Sequence, residues 1–131
     1  MSLVTTDLGL TTYSAASEFD NIYAAPPDYF ARQQVVLTSA TDTWDIGQVF
    51  NLSTTVANVQ KYTAVANNTA FQALTSEQVG VLTHQLTQTA GEVTAVLQLK
   101  GNFIKSRLTP SDISVGSYFH GNIVITDTED Y

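Results

Sequence analysis

Two histidines, a close pair of aspartates and an acidic C-terminal run are the residues through which this chain could do chemistry. His84 and His120 could serve as general bases or metal ligands. Neither has a second ligand-type residue at a metal-binding spacing, so each is expected to be structural or solvated. Asp42 and Asp45 flank Thr43-Trp44. Paired carboxylates can divide acid and base duties, but on a turn they more often cap backbone N–H groups, and capping is the expectation here. Asp127, Glu129 and Asp130 offer hard oxygen ligands. They lack the Gly and the distal Glu of a calcium loop and read as an acidic tail. Gly80, Gly91, Gly101, Gly116 and Gly121 form no phosphate-cradling motif. With no Cys, thiolate nucleophiles, disulfides and zinc–thiolate sites are all excluded. The chain is expected to be no enzyme and to carry no cofactor.

The elements that would position any site are strands. Val35-Val36-Leu37-Thr38 reads as a short strand closed by the turn Ser39-Ala40-Thr41-Asp42. Gln48–Leu52 and Lys61–Val65 follow, with Asn67-Asn68-Thr69 as a polar loop. Gln78–Thr83 reads as a buried strand, with Gly80 where another backbone comes close. The clearest element is Val93–Leu99: Val93, Ala95, Leu97 and Leu99 fall on one face, Thr94, Val96 and Gln98 on the other. Phe103-Ile104 extends the apolar line, His120-Gly121-Asn122 is a turn, and Ile123-Val124-Ile125 is a last strand. Thr109-Pro110-Ser111-Asp112 carries the signature of a helix start, cut short by Gly116. Short strands with closely spaced turns predict a mainly β, single-domain small barrel with little helix.

Composition narrows the partners. The 131 residues carry 12 acids against 5 bases, a net charge of −7. Residues 1–31 hold −4, residues 32–110 hold +1 and residues 111–131 hold −4. Phosphate neutralisation needs clustered cations, so neither a nucleic acid nor an anionic membrane is expected as partner. Met1–Thr6 show neither a basic n-region nor an apolar h-region, so no signal peptide is expected, and no apolar run reaches bilayer length. Only 13% of residues are charged, so Thr, Ser, Gln and Asn must supply most polar groups.

The expected domain order is an extended N-terminal arm over 1–34, a β-rich body over 35–125 and an acidic tail over 126–131. In the second half of the arm, Phe19, Ile22, Tyr23, Tyr29 and Phe30 surround Pro26-Pro27, which blocks helix and keeps the path extended. That much apolar surface must dock, either on the chain's own core or on another chain.

The order of the segments resembles the lambda-type head decoration protein family of phage capsid stabilisers. The likeness begins at Asp20-Asn21-Ile22-Tyr23-Ala24 and runs through Val35-Val36-Leu37-Thr38-Ser39, Asp45-Ile46-Gly47-Gln48-Val49-Phe50 and Lys61-Tyr62. It continues with Val79-Gly80-Val81-Leu82, Thr89-Ala90-Gly91-Glu92-Val93, Leu99-Lys100-Gly101-Asn102-Phe103 and Leu108-Thr109. Ala40 stands where the family has a turn Gly, Val59-Gln60 replaces a Gly-containing turn, and the chain after Thr109 matches only loosely. The resemblance implies a compact, tulip-like β domain. It also implies homotrimers at threefold and quasi-threefold points on the outer surface of an expanded head, made in the bacterial cytoplasm and bound to the major capsid protein. It further implies an arm that adds a strand to that protein. Leu3, Val4, Thr5, Thr6, Leu8, Leu10, Thr11, Thr12 and Tyr13 suit that strand, and Phe19, Ile22 and Tyr23 would anchor its root. The competing expectations are a tail or fibre module, or a host-surface-binding β-module using Trp44 and Tyr118 as glycan platforms, and a secreted bacterial β-domain.

Overall fold

A computed structural model of the chain describes residues 22–74 and 78–127. The described chain is mainly β. Its strands are β1 (Arg32–Leu37), β2 (Asp42–Trp44), β3 (Val49–Val56), β4 (Val59–Ala64), β5 (Val79–Leu82), β6 (Leu86–Gln88), β7 (Val93–Gln98), β8 (Gly101–Ile104), β9 (Gly116–Tyr118) and β10 (Ile123–Thr126). One short helix, α1 (Asn68–Gln72), lies between β4 and β5.

Five strands close into a barrel in the order β1-β4-β3-β5-β7. The period-2 segment forms its longest uninterrupted seam: β7 runs antiparallel to β1 from Arg32↔Gln98 to Leu37↔Val93. Alternation then sorts the side chains. Val35, Leu37, Phe50, Tyr62, Leu82, Ala95 and Leu97, drawn from all five strands, fill the barrel as one buried cluster. Val93 and Leu99 pack at its margin, half-buried.

A second cluster lies between the barrel's outer wall and the three-stranded sheet β8-β10-β9. Val49, Val79 and Val81 face it from the barrel, and Phe103, Ile123 and Ile125 from the sheet. This explains why all four residues of β5 are buried: the strand is covered on both faces, which favours a continuous apolar run over alternation. At Gly80 the close neighbours are side-chain atoms of the adjacent strand, not a backbone. A Cβ there would lie 2.8 Å from both Leu97 Cβ and Leu99 Cδ2.

The structure departs from sequence expectation in several places. Thr109 does not start a helix. Its backbone is consumed by the barrel, since its N–H donates to Gly47 O (3.0 Å) and its C=O accepts from Val49 N–H (2.9 Å). Gly116 belongs to β9 rather than to a helix stop. The polar stretch Asn67-Asn68-Thr69 is not a plain loop but the start of α1, where Asn67 caps the Ala70 N–H at 2.8 Å. Asp112 does complement a helix start, but that of α1: its carboxylate accepts from the Asn68 N–H at 3.1 and 3.2 Å. The β3–β4 hairpin turns at Ala57-Asn58, both at positive φ (51° and 68°). That is the two-residue turn whose twist suits a hairpin.

The segment before the barrel is part of the body. Tyr23 bridges Phe103 in antiparallel sense, and the Ala24 N–H donates to Asn102 O at 2.8 Å. The chain joins β1 already at Arg32, so residues 32–34 belong to the barrel.

Candidate interaction surface

The residues with chemical potential are dispersed and individually satisfied. His84 is exposed, with Nδ1 3.1 Å from Thr83 Oγ1. His120 is exposed in the left-handed turn after β9. Asp42 accepts from the Thr43 N–H (2.8 Å), and Asp45 accepts from Gln85 Nε2 (2.8 Å). Among the described residues no group of three or more His, Asp or Glu side chains could hold a metal ion. Asp127 is exposed, while Glu129 and Asp130 lie outside the described residues.

The aromatic residues proposed as glycan platforms are committed to internal contacts. Trp44 meets Phe50 edge-on, and its Nε1 donates to Gln88 Oε1 at 2.9 Å. Tyr118 packs edge-on to Phe71 and donates from its hydroxyl to Ser114 O at 2.5 Å.

The proposed capsid-binding residues Leu3, Val4, Thr5, Thr6, Leu8, Leu10, Thr11, Thr12 and Tyr13, and the anchor Phe19, lie outside the described residues. The anchors Ile22 and Tyr23 are buried in the chain's own second cluster, 1% and 0% exposed. Of the two destinations open to this apolar stretch, these two residues take the chain's own core.

What holds the arm's root is a side chain that sequence patterning left on the polar face of β7. Gln98 is fully buried. Its Oε1 accepts from Arg32 Nε (2.9 Å) and the Tyr23 hydroxyl (3.3 Å). Its Nε2 donates to Asp28 O (2.6 Å) and Lys100 O (2.9 Å). Both amide protons and the amide oxygen are thus used, and the Arg32 partner fixes which end of the amide is which. The network pins the segment after Pro26-Pro27 to the barrel. Asp28 in turn shapes the 3-10 turn Tyr29–Ala31, accepting from the Phe30 N–H at its side chain (2.9 Å) and from the Ala31 N–H at its carbonyl (3.0 Å). The product is a fixed turn whose Phe30 side chain is 99% exposed.

The other large exposed apolar side chains among the described residues are Val56, Val59 and Val115. Val56 and Val59 flank the β3–β4 turn. Beside them an open groove of about 630 Å³ separates the hairpin from β1, lined by Gln33, Gln34, Val36, Thr55, Val59 and Gln60 among others. This surface offers strand edges, amides and isolated apolar side chains. It suits protein–protein contact. Comparison of the chain with protein-family models, curated proteins and solved structures found no match.

Proposed function

We propose that the chain is a capsid decoration protein, which binds as homotrimers to the outside of an expanded phage head and stabilises it. The observation that carries this reading is the placement of the family-like segments. Val35–Leu37 lie on β1, Val49-Phe50 open β3, Lys61-Tyr62 lie on β4 and Val79–Leu82 make up β5. Thr109, which ends the resemblance, bridges back to Gln48. Four of the pieces similar to that family in sequence thus form neighbouring walls of one barrel, while Leu99–Phe103 leads into β8 of the three-stranded sheet. The fold is also of the compact, mainly β kind that the resemblance implies.

The physics of the role is additive weak contact. A head under internal pressure fails at junctions between subunits. A trimer touching several subunits multiplies individually weak contacts through effective concentration. An arm that adds a strand to the major capsid protein gains backbone hydrogen bonds that tolerate sequence change in the partner. The glycan-binding alternative is less well supported, because Trp44 and Tyr118 are engaged within the body.

Co-sedimentation with undecorated, expanded heads tests the reading. Residues 1–16, removed in a truncated chain, all lie outside the described residues. The truncated chain is expected to keep its circular-dichroism spectrum and melting temperature and to lose retention on heads. Undiminished retention would move attachment from the arm to the barrel. Failure of the intact chain to bind heads at all would end the decoration reading.

A further inference from the structure

We propose that Phe30 of one copy seats in a cleft beside Leu99 and Lys100 of the next copy, and that this knob and cleft form the contact between protomers. The inference rests on the decoration reading, to whose trimer it gives an interface.

The knob is rigidly presented. Phe30 is 99% exposed, yet the turn that carries it is held by Asp28, whose own carbonyl is held by Gln98. An aromatic ring on a fixed turn has little backbone freedom left to lose on binding. Covering it removes roughly 150–250 Å² from water, and aromatic side chains are enriched in the buried centres of protein contacts.

The cleft lies next to the knob on the same chain. Its volume is about 370 Å³, and Ala31, Val79 and Leu99 give it apolar surface. Lys100 is the one charged residue lining it. At 99% exposure Phe30 stands outside its own cleft, so any Phe30 that enters it comes from another copy.

Charge matches the two halves and selects a second copy as occupant. Asp28 is exposed two residues from the knob, and its carboxylate accepts from the Phe30 N–H. Lys100 is exposed, and its ammonium meets no carboxylate among the described residues. Seating Phe30 in the next copy's cleft brings Asp28 towards that copy's Lys100, whose ammonium also suits the face of the ring. The acidic segment 1–31, of charge −4, then meets the body 32–110, of charge +1, instead of another acidic segment.

One amide fixes the geometry of both halves. Gln98 Nε2 donates to Asp28 O (2.6 Å) at the knob and to Lys100 O (2.9 Å) at the cleft, and the Leu99 N–H donates to Ala31 O (2.9 Å). Knob and cleft therefore hold a set angle to each other. They are different surfaces, so the contact is head-to-tail, and a head-to-tail contact that closes makes a ring.

The test places p-benzoylphenylalanine at position 30 of the full chain. Copies of natural and heavy-isotope mass are mixed, which separates links between copies from links within one. Photolysis on expanded heads and in concentrated solution is expected to join position 30 of one copy to Leu99 or Lys100 of another. Phe30→Ser is expected to keep the parent melting temperature and to lose at least nine-tenths of the trimer captured by an amine cross-linker. Lys100→Glu is expected to reduce labelling of the cleft, most strongly at low salt. Links only to the shell protein, links only within one copy, links elsewhere on a second copy, or a parent-like trimer yield from Phe30→Ser would each overturn the proposal. In the last case the trimer stands and the knob-and-cleft inference alone fails. A closed dimer joined through the cleft would uphold the contact and end the trimer. If the parent chain forms no multimer either in solution or on heads, both fail.

Discussion

Gln98 joins four partners, Tyr23, Asp28, Arg32 and Lys100, and so ties the arm root and β1 to the turn after β7. Gln98→Leu keeps the side-chain volume but strands the Asp28 and Lys100 carbonyls and removes the acceptor of Arg32 Nε. At roughly 1–3 kcal/mol for each buried group left unmatched, with Arg32 partly reached by water, a loss of about 2–4 kcal/mol is expected in thermal or urea unfolding. A variant as stable as the parent would mean that the Pro26-Pro27 segment is not held by this amide. Gln48 and Gln88 do similar work: the first donates to the Val49 and Val65 carbonyls, the second to those of Thr38 and Gly91. Tyr62 gives a second test at this scale. Burial raises its phenol above the usual value, and its hydroxyl donates to Gln78 Oε1 at 3.0 Å. The neutral form is therefore favoured in the folded chain. Its stabilising contribution is complete below about pH 10, the unfolded value, and is lost as pH rises through the folded one. Melting temperature should fall in that alkaline window, and Tyr62→Phe should fall less steeply across it. Parallel profiles would show that Tyr62 does not supply the alkaline sensitivity.

Among the elements, β7 carries the barrel's register. Leu97 is fully buried and pairs across to Gln33 and Leu82. Leu97→Asp would bury an unpaired carboxylate at a cost of several kcal/mol and is expected to yield no soluble folded protein. A folded, stable variant would contradict the register. Gly80→Ala is the gentler test. The added methyl meets Leu97 and Leu99 at 2.8 Å, so β5 and β7 must separate, costing about 1–3 kcal/mol. The strands with strong alternation or continuous apolar runs were legible in the sequence, because burial of one or both faces dictates those patterns. The three-residue strands β2, β6 and β9 and the five-residue α1 were not, since so few residues cannot display a period. Thr109-Pro110 misled because a local capping signature lost to long-range pairing with Gly47 and Val49. Gln98 was assigned to the correct side of β7, but alternation cannot tell that a second layer covers that side. The groove was invisible for a related reason: it arises from incomplete β1–β4 pairing, and pairing extent is written in no single segment.

For the molecule as a whole, charge and stoichiometry decide how it could hold a shell. Residues 32–110, which include the whole barrel, carry +1, and the segments before and after them carry −4 each, so like-charged copies approach one another most easily through the barrel. A trimer built this way would present three arms, and retention would depend on their joint engagement rather than on any single one. That dependence can be read by mixing. If the chain forms trimers, full-length chain and the 1–16 deletion co-expressed in equal amounts would assort at random, and only about one trimer in eight would keep all three arms. If three arms act as one clamp, retention on heads should fall well below half at equal mixing and should curve steeply with the truncated fraction. Independent monomers would instead give a straight line, with half the protein retained at equal mixing. A straight line, measured by co-sedimentation with the two chains distinguished by mass, would remove the trimeric clamp and leave single-copy attachment as the mechanism to explain.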